Sequence, residues 1–446
     1  MKYSARVLPL FVALAGLAGP SSCGRGDRRT EIAKWQDAKA AAISLTYDDG
    51  SANQFRVAVP LMARFGFPAT FHIITGEVGG SRYHGTFVGR PVEEIIRETA
   101  GIRTGPDNFF ERASAIGRLD LRGGFAYHLR AGEMFEDGKT DAAYRLIDEA
   151  FAKVRRGLLE KELPRPPGGE APTLTWEQLT SLAAQGHEVS SHTITHPRLA
   201  VLDEANLVYE LEKSREDILN HLGPKHTFTI ECPFGTEDER VVRYALARYP
   251  ASRNRLPEPY LEELDRWNEK DPASSPKEYV QWQRGALTAT PMSQMTGWVD
   301  TIAGRDNIWL VLVFHGIDGI GWEPKTGAEL EEFFRFIKSR EDRLWVATFQ
   351  DVVKYMRERM SGRVMTVRRG RTIEVDLHHD LPGGAYDLPL TLKTSVPSGW
   401  RAVEVRQGAK SARALAVRVG KGAYVMYQAV PNAGPVTLSE GKGGPA

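Results

Sequence analysis

Three short stretches of this chain combine residue types able to do chemistry. Thr46-Tyr47-Asp48-Asp49-Gly50 sets two carboxylates side by side, directly after the apolar run Ala41–Tyr47. Adjacent carboxylates repel unless a cation or a shared proton offsets the repulsion. The pair therefore points to metal binding or acid–base work, although an Asp-Gly turn or a helix N-cap explains a lone Asp-Asp-Gly better. The second stretch, His187 to Pro197, carries His192 and His196 four residues apart. On one turn of backbone both imidazoles face the same way, at a separation that suits zinc, though surface histidines also meet this spacing by chance. His187 itself reads as structural. In the third stretch His315 follows the apolar run 309–314. A general acid or base would stand there, and a satisfied core histidine fits the position equally well.

The elements that must position these residues follow a β/α rhythm. The pattern predicts a strand over Ala41–Tyr47, a helix over 55–65 closed by Gly66, and a strand over 69–74. Gly-Gly pairs, charged helical stretches and a Pro-rich run (164–172) then mark a largely helical insertion at about 77–172. The rhythm resumes with a helix over 175–185, a strand at 188–190, a helix over 203–222 and a strand near 228–231. Residues 260–278 read as polar and loop-rich. A buried strand at 309–314, a strand at 344–347 and a helix over 350–360 close the domain. All three chemical stretches end a predicted strand, the face on which a β/α barrel carries catalysis.

From about residue 362 the apolar period switches to two. Val364 and Thr366, then Ile373, Val375 and Leu377, flank Arg369-Gly370 as a hairpin would. We expect a small all-β, sandwich-like domain over 362–440. Trp400, Tyr424 and Tyr427 have the chemistry to stack on sugars, but core packing is the better reading of aromatics in so small a domain.

The chain has 446 residues, enough for a large domain and a smaller one, and its 41% apolar and 26% charged residues exclude wholesale disorder. A formal charge of +1 calls for no nucleic-acid partner. Two cysteines cannot build a disulfide framework. Lys2 and Arg6, an apolar run over 7–18 and small residues after it read as a signal peptide over 1–22. The chain is thus expected to be exported, to the periplasm or beyond the cell. Cys23 follows the leader where lipoproteins carry their anchor, but Pro20 matches that signal poorly. No later stretch approaches the ~20 apolar residues of a membrane helix, and the sequence leaves the oligomeric state open.

Taken together, Tyr47-Asp48-Asp49-Gly50, His192-Thr193-Ile194-Thr195-His196 and Leu312-Val313-Phe314-His315 resemble, in order, the motifs of the NodB-type polysaccharide deacetylases, carbohydrate esterase family four. Pro68-Ala69-Thr70-Phe71 agrees as well. The resemblance implies a deformed β/α barrel over about 30–360 and a divalent metal, usually zinc, with cobalt or nickel as substitutes. It implies Asp49, His192 and His196 as metal ligands, Asp48 as general base and His315 as general acid. Glu231-Cys232-Pro233-Phe234-Gly235 stands where the family has Arg-Pro-Pro-Tyr-Gly, so the Phe234 backbone N–H would help hold the oxyanion. Glu231 replaces the arginine that usually orients the base, and it would tune Asp48 unless an arginine from elsewhere, Arg253 or Arg284, neutralises it. The implied function is removal of N- or O-linked acetyl groups from an acetylated polysaccharide. A related C–N hydrolase acting on a non-sugar amide, and a non-catalytic glycan-binding protein, are the alternatives.

Overall fold

The computed structural model describes residues 30–161 and 174–441. The leader read over 1–22, Cys23 and the Pro-rich run lie outside the described residues. At the centre is a curled sheet of nine strands, all paired in parallel. In spatial order it runs Ala251–Ser252, Thr229–Ile230, Glu188–Ser191, Thr70–Ile73, Ala41–Tyr47, Ile308–Phe314, Tyr279–Gly285 and Leu261–Leu264. Leu344–Val346 shares one edge of Ala41–Tyr47 with Thr70–Ile73. It pairs with Ala41 to Ile43, while Thr70 and Phe71 pair with Thr46 and Tyr47. Among the described residues no pairing joins the two end strands, so the barrel is deformed and open there.

Ala41–Tyr47 and Ile308–Phe314 are buried at every position. That is why they read as unbroken apolar runs, as parallel strands covered on both faces do. Tyr47 stacks between Phe71 and Phe314, with ring centroids 5.2 and 5.1 Å away. The helix Val59–Phe65 stops at Gly66, whose φ of 70° is the left-handed conformation that ends many helices. A capping box from Thr175 and Gln178 starts Trp176–Ala184, and the Asp203 side chain caps Glu204–Leu222.

The insertion is helical as expected: Val92–Glu98, Phe109–Arg118, Gly124–Glu136 and Thr140–Arg155 pack around Phe109, Ile116, Ile147 and Phe151. The loop-rich expectation for 260–278 needs correcting, because Leu261–Leu264 is the strand at the sheet's end. Glu262 and Glu263 lie half-buried along it and disguise its period.

The C-terminal region is two antiparallel sheets with a shared core. One holds Arg363–Arg369, Thr372–His378, Val436–Glu440, Ala402–Gln407 and Lys410–Leu415. The other holds Leu390–Val396, Gly422–Ala429, Val417–Val419 and, from the far end of the chain, Thr30–Ile32. The first described strand therefore sits with the C-terminal sheets rather than with the barrel, which moves the expected boundary at residue 30. Trp400 and Tyr427 are each 7% exposed and belong to this core.

Candidate metal centre

The three chemical stretches meet at one end of the sheet. Asp48 continues Ala41–Tyr47, its N–H donating to the Phe314 carbonyl at 3.0 Å. The backbone then turns sharply through Asp49 and Gly50, with φ 72° and 76°. A Cβ on Gly50 would also press to 3.2 Å from Ile73 Cδ1, so glycine suits the turn twice over. His192 leaves Glu188–Ser191, two strands along the sheet, with its N–H on the Ile73 carbonyl at 2.8 Å. Beyond it Thr193 and His196 both take positive φ, 67° and 58°. Such conformations cost about 1–3 kcal/mol each for residues with side chains and persist only where the surroundings enforce them.

Asp49 Oδ1 lies 3.6 Å from His192 Nε2 and 3.5 Å from His196 Nε2. One donor atom from each residue falls within 4.8 Å of the other two, the only such grouping among the described residues. The donor set fits a divalent metal. His192 Nδ1–H donates to the Glu231 carbonyl at 2.8 Å, which leaves Nε2 unprotonated and aimed at Asp49. Burial lowers the pKa of His192 to about 4 and that of His196 to about 3, so both imidazoles are neutral, as ligands must be. Burial, then the charges of Asp48 and Glu77, push Asp49 up to about 7. A cation would relieve that crowding of negative charge.

Asp48 stands beside this trio. Burial would raise its pKa, but the Arg253 guanidinium, with His315 and hydrogen bonds, overrides burial and holds it well below the usual carboxylate range. Arg253 grips both carboxylate oxygens, at 2.8 Å to Oδ1 and 2.7 Å to Oδ2, and also donates to Thr46 Oγ1 at 2.8 Å. The same guanidinium is 2.8 Å from Glu231 Oε1. Glu231 also accepts from Asn254 Nδ2 at 3.1 Å, and burial pushes its pKa above the ordinary value. An arginine does hold Asp48, but it arrives from position 253, directly after Ala251–Ser252. Arg284, the other candidate, donates instead to carbonyls of the 265–268 loop. The Glu231 side chain is thus the third partner of one buried Arg253 cluster.

His315 Nε2 is 3.5 Å from Asp48 Oδ2, and burial lowers its pKa to about 4. Trp322, 52% exposed, stands edge-on to the His315 ring at 4.6 Å, a wall that no sequence pattern flagged. Phe234 turns at a φ of 66°, its ring 4.6 Å from His196 and 4.3 Å from the Arg198 guanidinium. His187 lies apart, accepting the Ala69 N–H on Nδ1 at 3.1 Å.

Comparison with known proteins agrees with the family resemblance. The family model described as polysaccharide deacetylase matches residues 134–250, which hold His192, His196 and Glu231 but not Asp48 or Asp49. A gellan lyase from a Bacillus species is 26% identical over 331 residues, 68% of this chain, and the chain spans only 13% of that protein's length. Among solved structures, the CE4 domain of a multidomain xylanase from the hindgut metagenome of Trinervitermes trinervoides is similar at 11% identity, covering 70% of this chain and 89% of that one, with a TM-score of 0.33. The peptidoglycan deacetylase PdaC from Bacillus subtilis is similar at 12% identity, covering 74% and 96%, with a TM-score of 0.31.

Proposed function

We propose that this chain, a match to the polysaccharide deacetylases, is an exported, metal-dependent hydrolase that removes acetyl groups from an acetylated polysaccharide. One observation carries the reading: the donors of Asp49, His192 and His196 converge beside a carboxylate, Asp48, that a buried arginine keeps ionised. Those three residues would hold the metal. A bound divalent cation polarises a carbonyl and lowers the pKa of water.

Asp48 is the base. One of its oxygens takes a proton from water as the remaining hydroxide attacks the acetyl carbonyl carbon. Arg253 fixes the orientation of that carboxylate. The Phe234 backbone N–H helps hold the oxyanion that develops. The C–N or C–O bond to the sugar then breaks, and Nε2 of His315 hands a proton to the departing amine or hydroxyl. His315 is neutral in the resting site, so this proton is the one water gave up, passed on by Asp48 across 3.5 Å. Acetate and the polysaccharide carrying a free amine or hydroxyl are the products. Trp322 beside His315 offers a flat apolar wall for the ring that carries the leaving group.

Acetate release from acetylated chitin, peptidoglycan and xylan, measured together with bound metal, tests the proposal. Metal-dependent acetate release supports it. Bound metal without acetate from any glycan favours an amide hydrolase of another kind, and neither metal nor acetate favours a glycan-binding protein.

A further inference from the structure

We infer that the helical insertion is a positioning element for the metal ligand His196, holding the segment 194–198 through two polar ties. The inference rests on Asp49, His192 and His196 being the metal site, and it concerns residues outside every motif the family resemblance supplied.

The first tie runs through Glu210. Between the positive-φ residues Thr193 and His196, the N–H groups of Ile194 and Thr195 turn away from any strand partner. Both donate to Glu210 Oε2, at 2.8 and 3.1 Å, and Thr195 Oγ1 donates to Oε1 at 2.8 Å. Glu210 belongs to the barrel helix Glu204–Leu222 and is 1% exposed. A buried carboxylate needs a buried counter-charge. That charge is Arg118, at the end of the insertion helix Phe109–Arg118, whose Nη2 donates to Glu210 Oε1. The barrel supplies the carboxylate that shapes the histidine loop, and the insertion supplies the cation that lets the carboxylate stay there.

The second tie begins just past His196. The Arg198 N–H donates to His128 Nε2 at 3.1 Å, and His128 is itself fixed by Nδ1 on the Ala113 carbonyl at 3.0 Å. The Arg198 guanidinium pairs with Glu136 and lies over Phe234, whose ring packs against His196. His128 and Glu136 are both on the insertion helix Gly124–Glu136. His196 is thus bracketed by contacts to the insertion on both sides, while Asp49 and His192 are set by the barrel itself. Mere attachment of the insertion would not require this chemistry, since its apolar core already reaches Val201.

The test titrates zinc into the metal-free full chain against a chromophoric chelator, alongside the heat-unfolding midpoint of the metal-free protein. Wild type should bind zinc far more tightly than His192→Ala; equal affinities overturn the metal reading itself and this inference with it. Arg118→Met should weaken zinc affinity about 10–100-fold, the usual cost of losing a group that supports a metal ligand, with Arg118→Lys in between. Unchanged affinity in a folded Arg118→Met protein overturns the inference while leaving the metal site standing. If Arg118→Met does not fold, Arg198→Met carries the test, because its side chain is 14% exposed and its loss cuts the tie to Glu136 and Phe234. It should weaken zinc affinity about tenfold, the lower end of the same range. Wild-type affinity in that variant overturns the inference.

Discussion

The mouth of the barrel and the C-terminal sandwich treat costly side chains in opposite ways. At the mouth, Asp48, Glu231 and Arg253 are each no more than 2% exposed and satisfied mainly by one another. Beside them Asp49, Thr193, His196 and Phe234 accept unfavourable backbone angles. In the sandwich, strands such as Thr372–His378 alternate buried and half-buried residues, and Trp400 and Tyr427 are turned inward while Tyr424 stays half-buried on the opposite face of its strand. Buried charge and strain lower stability and are kept where chemistry needs them. A buried Trp or Tyr raises stability and needs no further explanation.

That contrast can be broken or sharpened by substitution. The largest effect is expected from His192→Ala, which should lose bound metal and nearly all acetate release while the sandwich keeps its fold. Full metal occupancy in that variant, by elemental analysis, would refute the ligand assignment. Next, Asp48→Asn should keep metal and lose about 10²–10⁴-fold in turnover, and His315→Ala should lose more on amides than on esters because an amine leaves less readily than a hydroxyl. Near-normal kcat in both would discard the acid–base roles.

Arg253→Met and Trp400→Ala set the two regions directly against each other. Removing the arginine strands two buried carboxylates and should cost about 3–5 kcal/mol of stability as well as activity. Trp400→Ala should cost about 3–5 kcal/mol through lost packing, with metal binding and acetate release per folded molecule unchanged. Denaturant midpoints and acetate assays read both variants. A Trp400→Ala protein of normal stability but poor action on polymer would turn the sandwich into a carbohydrate-binding domain.

The smallest effect belongs to Glu188, buried among Thr70, Thr229 and the Gln350 N–H. Burial raises its pKa to about 7 from an ordinary 4.5, against the pull of those hydrogen bonds. Between these values the folded protein keeps a proton that the unfolded chain has released. Its contribution is therefore fully present below about pH 4.5 and is lost as pH rises through about 7. Glu188→Gln should flatten that part of the stability profile. Urea midpoints at pH 5 and pH 8 that change equally in the two proteins would show that Glu188 does not titrate in this window.

What could be read ahead of the structure follows from how each feature is encoded. Ala41–Tyr47 and Ile308–Phe314 announce themselves because burial on both faces demands unbroken apolar runs. The insertion's helices carry a period of their own, and Asp48, Asp49, His192, His196 and His315 stand out at strand ends. Arg253 was legible only as one of two alternatives. It follows Ala251–Ser252, a two-residue strand too short to show any period. Leu261–Leu264 hid behind two glutamates. Glu210 and Arg118 were invisible, because a charged residue on a helix looks solvent-facing until its partner, 92 residues away, is seen against it.

The pairing of Thr30–Ile32 with Leu390–Val396 has a consequence for synthesis. Thr30 and Thr394, joined by a 2.8 Å contact between hydroxyls, are 364 residues apart in sequence. At a translation speed of roughly 5–20 residues per second, the first strand waits about 20–70 s for its partner to leave the ribosome. The whole barrel can assemble in that interval with this strand still exposing an unpaired edge. The sheet that takes in this first described strand can therefore close only late in synthesis, and a nascent chain halted before residue 390 would leave that edge free to pair with another copy.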